Sequence, residues 1–315
     1  STREINEDKL IFNKAGTLSS TEFICVVMNT IIGTGVLKLG SAFNSGIIFT
    51  HLLNIFVTFI SVYSIKLYVL AAAFYHESTF EEIWGVAFSQ KTNFIPAVCS
   101  ILSSFTNVMS YLSYLQSSFV QILSLFILLI DEEAVETVKT IEHYSLLIGL
   151  IIMIAFCVPT CTSYKLQYVV VLSMISLGLF GLVFVYIIGR FIQIVQNEGF
   201  NSEHRLKLFD LKDNISNSIT SLTYAYLFYP FAWPGLRHSK NPTVKNLSKT
   251  FYLTIFITYV IYSIVGTISY FSFFDLNTGG IILNYYKSDT KANKALMLAS
   301  HLVTFFYIMF TIPVV

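Results

Sequence analysis

Charge is what this 315-residue sequence has least of. Lys, Arg, Asp and Glu make up 12% of it, about half the share usual in soluble domains. Nineteen bases against eighteen acids leave a net +1, so no basic field exists to attract nucleic acid. Cysteine is sparse as well. Cys25, Cys99, Cys157 and Cys161 all fall in or beside apolar runs, and the last two flank Pro159 with no histidine at zinc spacing. They read as packed thiols, which excludes a secreted disulfide scaffold and a structural zinc site. There is no His-Glu-x-x-His, no Gly-x-Ser-x-Gly and no pair of carboxylates inside an apolar segment, so the chain is not expected to be an enzyme. Residues 1–20 are polar and the first apolar run lacks a small-residue cleavage site after it, so no cleavable signal is expected.

Long uncharged stretches are what the sequence has instead. Hydrophobic types reach 55% and the mean hydropathy is +0.68. Uncharged runs cover 39–65, 92–130, 143–164, 166–189, 214–236, 250–274 and 295–315, each about as long as the ~20 residues that cross a bilayer as a helix. The chain reads as an all-α polytopic membrane protein, with a polar segment at 1–22 and a transmembrane domain at 23–315. Expected helices are 23–46, 47–75, 94–130, 144–161, 165–195, 214–236, 249–274 and 295–315. The first two are split at Asn44-Ser45-Gly46, a turn signal. The third is too long for the ~30 Å core, so it either tilts strongly or is divided by Pro96. All eighteen acids fall in loops or at helix ends. Nine bases would lie on the side of the N-terminus and eight on the other, which is too even to set orientation by the positive-inside rule.

Two of the expected helices carry breakers. The first contains Asn29-Thr30-Ile31-Ile32-Gly33-Thr34-Gly35-Val36-Leu37 and the sixth Tyr229-Pro230-Phe231-Ala232-Trp233-Pro234-Gly235. Glycine and proline weaken or remove the helical ladder, and free backbone at membrane depth is tolerated only against protein or a water-filled cavity. Breaks five helices apart are what a five-helix repeat, followed by an inverted second copy, would produce. In such carriers the exposed N–H groups of a half-helix hold an anionic substrate group and freed carbonyls ligate a cation. Gly-x-Gly also suits close helix packing, which is the structural alternative. On the third helix Asn107, Ser110, Tyr111, Tyr114, Ser118 and Gln121 line one face. That stripe either borders a substrate path or makes interhelical hydrogen bonds.

At these residues the sequence resembles the amino acid/auxin permease family, which includes vacuolar and sodium-coupled neutral amino-acid transporters. The first-helix segment Asn29 to Leu37 looks like that family's signature. The segment Ala225-Tyr226-Leu227-Phe228-Tyr229-Pro230, with Trp233-Pro234 and Asn241-Pro242-Thr243, is similar to its sixth helix and following loop. Met109-Ser110-Tyr111-Leu112 and Thr311-Ile312-Pro313-Val314-Val315 resemble parts of its third and eighth helices. The resemblance runs from about residue 20 to the end. It implies an inverted five-helix-repeat transporter fold with helices 1 and 6 interrupted, eleven helices of which this chain would lack the last three, and a cytoplasmic N-terminus. It also implies a sodium site at the positions of Asn29 and Thr311. The sequence departs from the family at Lys38 and Gly40, where small residues and proline are common, and at Tyr229, where histidine is frequent.

The function expected is secondary active transport of amino acids by alternating access, coupled to Na⁺ or H⁺, with a transporter-like amino-acid sensor as the alternative. The substrate carboxylate is placed against the backbone N–H groups of Thr34, Gly35 and Val36. Its side chain is placed against Tyr111, Phe228 and Tyr229, which favours a neutral, apolar or aromatic substrate. Apart from the ion no cofactor is expected; the partners are the amino acid and the lipid bilayer, not nucleic acid. Lys38, one turn past Gly35, needs a water cavity, an anionic group or freed carbonyls beside it, or else it snorkels. Lys66, near the end of its helix, is read as snorkelling. His51 and His301 could titrate but are read as hydrogen-bonded histidines. The sequons at Asn214 and Asn246 lie close to the membrane, so glycans are not expected. The sequence does not distinguish a plasma membrane from a vacuolar or lysosomal one.

Overall fold

A computed structural model describes residues 10–12, 16–33, 35–131, 134–152, 155, 166–198, 207–210, 215–227, 233–273 and 291–312. These form α1 (Ser20–Ile32), α2 (Gly35–Ala42), α3 (Ile47–Tyr75), α4 (Phe80–Ala87), α5 (Phe94–Ile130) and α6 (Val135–His143). They continue as α7 (Ser145–Ile152), α8 (Leu166–Glu198), α9 (Ile215–Ala225), α10 (Trp233–His238), α11 (Val244–Phe273) and α12 (Lys291–Thr311). Among the described residues there is no strand, only isolated bridges from Leu10 to Thr243 and from Leu18 to Ser239. Helices α3, α5, α8, α11 and α12 are long and apolar enough to cross a membrane. The chain is an all-helical, multi-pass membrane protein.

The polar and apolar faces of α3 are arranged for lipid rather than water. Leu52, Phe56 and Phe59 are exposed, while Thr50, Asn54 and Ser61 are buried. Lipid tails are as apolar as leucine, so packing and interhelical hydrogen bonds must hold such a bundle. Nε2 of His51 pairs with Thr267 Oγ1 at 3.0 Å, and Asn54 donates to Ser263 Oγ at 3.1 Å. Tyr226 donates in turn to Asn54 Oδ1 at 2.9 Å. These bonds fix α3 antiparallel to α11 and attach Tyr226, just past the end of α9, to α3.

Local signals account for where the helices start. Ser19 caps α1 in a reciprocal box with Glu22, its hydroxyl accepting from Glu22 N–H and its N–H donating to the carboxylate. Gly46, at φ 103°, makes the sharp corner between a short 3₁₀ turn at Phe43–Ser45 and α3. Asn241-Pro242-Thr243 is the cap of α11: Thr243 Oγ1 accepts from Asn246 N–H, and the Asn246 amide donates to Asn241 O at 2.9 Å. The Asn246 amide thus closes the loop before α11 at the surface; Asn214 lies outside the described residues. Residues 10–12 and 16–18 lie beside this loop, with Ile11 N–H donating to Pro242 O and Leu18 N–H to His238 O. The N-terminal segment and the start of α11 thus share one face of the bundle.

Several expected boundaries change. Pro96 does not divide the third helix: α5 is continuous over 37 residues, and Pro96 sits in the first turn, where no intrahelical donor is needed. A length near 55 Å means that α5 crosses at a tilt or projects beyond the core. The expected 144–161 helix begins earlier, as polar α6 followed by apolar α7 with Tyr144 between them. Residues 153–154 and 156–165, including Cys157 and Cys161, lie outside the described residues. The seventh helix starts at Val244 rather than 249, and the eighth at Lys291 rather than 295.

Candidate substrate and cation site

The first long helix is broken where its glycines predict. It stops at Ile32, and α2 resumes at Gly35. Gly33 has φ 32° and ψ −143°, a backbone rarely open to a residue with a Cβ. A Cβ there would also collide with the Tyr111 hydroxyl. Neither piece alone crosses a bilayer: 13 and 8 residues measure about 20 and 12 Å, and together they match the ~30 Å core. The sixth helix is also in two pieces. Helix α9 ends at Ala225 and α10 begins at Trp233, with 228–232 outside the described residues.

A break buried in protein leaves carbonyls that need donors, and tyrosines supply them. Tyr307, from α12, donates to Gly33 O at 2.8 Å. The Tyr262 hydroxyl, from α11, stands 2.6 Å from Ile31 O and 2.9 Å from Ala225 O. Its one proton serves either carbonyl in turn, so a single hydroxyl links the break in the first helix to the end of α9. Both rings are fully buried. Gly35 brings the two broken helices into contact: a Cβ on it would lie 3.0 Å from Ala225 Cα. The packing reading of the second glycine is therefore realised, and Val36 beside it is fully buried.

One turn before the break, Asn29 meets two hydroxyls from distant helices. Ser176 Oγ on α8 donates to Asn29 Oδ1 at 2.7 Å, and Thr311 Oγ1 on α12 lies 3.1 Å from the same oxygen. The two hydroxyls are 2.7 Å apart, and Thr311 also donates to Tyr307 O at 2.9 Å. Asn29, Ser176 and Thr311 are all fully buried. Four neutral oxygens thus converge from α1, α8 and α12. The Asn29 amide nitrogen is buried with no hydrogen-bond partner among the described residues, which hold the side chain through its oxygen.

Of the residues singled out in the sequence, Asn29 and Thr311 are brought together, and Gly35, Val36 and Tyr111 gather at the break. Thr34, Phe228, Tyr229 and the Lys38 side chain lie outside the described residues. Ser176, Tyr262 and Tyr307 were not singled out. The signal available for them was weak: a buried tyrosine must place its hydroxyl, and each of these two sits mid-run in an apolar segment.

The polar stripe of α5 faces the interior, with Asn107, Tyr111, Tyr114 and Ser118 buried. Tyr114 Oη, Ser118 Oγ and Gln121 Oε1 have no partner among the described residues. His301 of α12, which packs on α5, is fully buried, and neither of its ring nitrogens is paired among the described residues. His51 is the hydrogen-bonded histidine expected; His301 is not. Among the described residues no three His, Cys, Asp or Glu side chains group as metal ligands. The oxygens at Asn29 are therefore a different kind of donor set, hard and uncharged. The sequence profile for transmembrane amino acid transporter proteins matches residues 16–315, which covers both breaks and every residue of this cluster, and the chain belongs to that family of membrane amino-acid transporters.

Proposed function

We propose that the chain is a secondary active carrier of neutral amino acids, working by alternating access and coupled to a cation. The observation that carries this reading is the convergence of Asn29, Ser176 and Thr311 one turn from the helix break. Three neutral hard oxygens and the Tyr307 carbonyl suit a monovalent ion such as Na⁺, whereas divalent sites usually include carboxylates. Because the oxygens come from α1, α8 and α12, an ion shared among them ties the position of the broken helix to its neighbours.

The amino acid belongs beside this cluster. The first turn of α2 presents the N–H groups of Gly35 and Val36 at the positive end of a half-helix, where a carboxylate is stabilised; Thr34, given the same role from the sequence, lies outside the described residues. Tyr111 at the break, together with the aromatic residue types at 228 and 229, favours an apolar or aromatic substrate side chain. The tyrosine bonds to Ile31, Gly33 and Ala225 make the two breaks one mechanical unit. Alternating access proceeds by movement of that unit, in an inverted-repeat fold with the N-terminus cytoplasmic.

Proton coupling is the second reading, and one observation favours it. His301 and three polar atoms of α5 are buried without partners among the described residues. Such groups at membrane depth call for water between α5 and α12. The test is uptake of a labelled neutral amino-acid mixture into proteoliposomes under imposed sodium or proton gradients. Sodium-driven uptake lost in Asn29→Ala supports the first reading. Proton-driven uptake lost in His301→Ala supports the second. Saturable binding without flux under either gradient would make the chain a sensor instead.

A further inference from the structure

Along α5 some hydroxyls satisfy themselves and others do not. Thr106 donates to Leu102 O at 2.8 Å and Ser117 to Ser113 O at 3.0 Å, each bonding its own helix one turn back. The Tyr114 and Ser118 hydroxyls and Gln121 Oε1 have no partner among the described residues, and neither ring nitrogen of His301 on α12 has one. Tyr114, Ser118 and His301 are at most 3% exposed. Tyr114, Ser118 and Gln121 recur at helical spacing, so they share one face of α5.

Contacts between α5 and α12 give their register. The Phe119 and Phe305 rings lie 5.7 Å apart. The Tyr111 hydroxyl stands against Gly33, to whose carbonyl Tyr307 donates. Going back along α5 from Phe119 to Tyr111 thus matches going forward along α12, and the helices are antiparallel. His301, one turn before Phe305, therefore lies near Gln121, and Tyr114 lies level with Thr311. The unpartnered atoms form a file from Gln121 and His301, past Ser118, to Tyr114 beside the oxygen cluster. His301 and Thr311 are ten residues apart on α12, about 15 Å.

The far end of the file opens outward. A cavity of ≈ 250 Å³ is lined by Gln116, Ser117, Val120, Gln121 and Ser145. Ser145 begins apolar α7 and follows polar α6, so the cavity lies where the membrane core ends. His76, just past α3, meets Ile11 O, and Ser100, near the start of α5, bonds Glu81 of α4. Helix α5 therefore starts on the side of the N-terminal segment, and Gln121 lies toward the opposite side.

We infer that these atoms line a water-filled path from the cavity at Gln121 to the oxygens of Asn29, Ser176 and Thr311, and that the coupling cation arrives along it. This route presupposes the cation reading of that cluster. Buried polar atoms that bond neither their own helix nor a neighbour are satisfied by water. The file and its mouth offer hydroxyl, amide and imidazole acceptors and no charged side chain among the described residues. Neutral acceptors replace part of a monovalent ion's hydration shell without a full charge that would hold it on the way.

Hydroxyl-radical footprinting of the purified protein in nanodiscs reads the water directly, without sodium or transport. Radicals formed in the path should oxidise Tyr114 and His301 several-fold faster than Tyr262, a fully buried tyrosine whose hydroxyl serves backbone carbonyls. Protection of both to the level of Tyr262 overturns the path and leaves the cation cluster standing. Stopped-flow fluorescence on mixing with sodium reads the ion. A residue on a route changes association and dissociation by one factor, whereas a residue in a site changes their ratio. Ser118→Val, which narrows the path and removes a hydroxyl, should slow both rates several-fold and leave the sodium Kd unchanged, which also shows that the variant is folded. Unchanged rates, or a changed Kd, would overturn the route. Oxidation of Tyr114 and His301 in a wild-type protein that binds no sodium would leave a path for water alone, which overturns its role for the cation together with the reading of the cluster.

Discussion

Replacing Tyr262 with phenylalanine isolates one hydroxyl. The ring packs edge-on against Tyr226 with centroids 5.2 Å apart, and phenylalanine keeps that contact. What disappears is the donor shared between Ile31 O and Ala225 O. One proton makes one hydrogen bond at a time, so the loss is that of one bond and not two. A buried carbonyl left unpaired costs about 1–3 kcal/mol, while bonds between membrane helices average nearer 0.6 kcal/mol. An effect of about 1–2 kcal/mol follows, or roughly 5–30-fold in the balance between conformations. Thermal unfolding of the purified protein should fall by about 2–6 °C, and amino-acid uptake should slow because both breaks lose their common support. Tyr270→Phe is the comparison: its hydroxyl accepts from Lys207 N–H at 2.9 Å, away from the breaks, so it should lower stability and leave uptake intact. A Tyr262→Phe protein with wild-type unfolding and wild-type uptake would refute the idea that this hydroxyl couples the broken helices.

Other substitutions test the neighbouring parts. Gly35→Leu must force α2 away from Ala225, which a Cβ already approaches to 3.0 Å, so equilibrium dialysis should find no amino-acid binding; unchanged binding would remove the substrate from this position. Ser176→Ala takes one oxygen from the cluster at Asn29, and the sodium concentration for half-maximal uptake should rise several-fold, whereas an unchanged value would leave Ser176 a packing residue. Gly266→Ala drives a methyl into the Phe43 ring and should cost about 1–3 kcal/mol by overpacking, read as a lower unfolding temperature. Burial opposes it, but the hydroxyl and N–H of Thr79 hold the Glu82 carboxyl below its ordinary value. That stabilisation is present above the unfolded carboxyl's pKa and is lost as pH falls through the folded one. The unfolding-temperature gap between wild type and Glu82→Gln should therefore close on acidification, and a constant gap would contradict the cap.

The sequence exposed the breaks better than it exposed what supports them. Gly33 and Gly35 are legible because glycine in an apolar helix has few uses, and the observed φ of 32° at Gly33 is one of them. The Asn44-Ser45-Gly46 corner was legible for the same reason, with Gly46 at φ 103°. Ser176, Tyr262 and Tyr307 were not, because their roles depend on residues more than 130 positions away or on a neighbouring helix. A serine or tyrosine inside a run of Leu, Ile and Phe has no local pattern that names its partner. The two glycines also turned out to differ. Gly33 is needed for its backbone and for the Tyr111 hydroxyl, whereas Gly35 is needed for close contact with Ala225. Short α4 and α6 were missed because their charged faces belong outside the bilayer, where hydropathy runs carry no signal. Pro96 misled because a proline in a first helical turn is permitted, and only the continuous α5 distinguishes that from a divided helix.

Linkage between the two ligands tests whether a cation sits beside the substrate. Amino-acid affinity of the purified protein should be measured in sodium and in choline, and sodium affinity with and without the amino acid, for wild type and Asn29→Ala. If the oxygens at Asn29, Ser176 and Thr311 hold the coupling ion beside the substrate, each ligand must raise the affinity of the other by the same factor. That reciprocal factor is expected in the wild type and should disappear in Asn29→Ala, with residual amino-acid binding equal in both salts. An amino-acid affinity that is the same in sodium and choline in the wild type would contradict it.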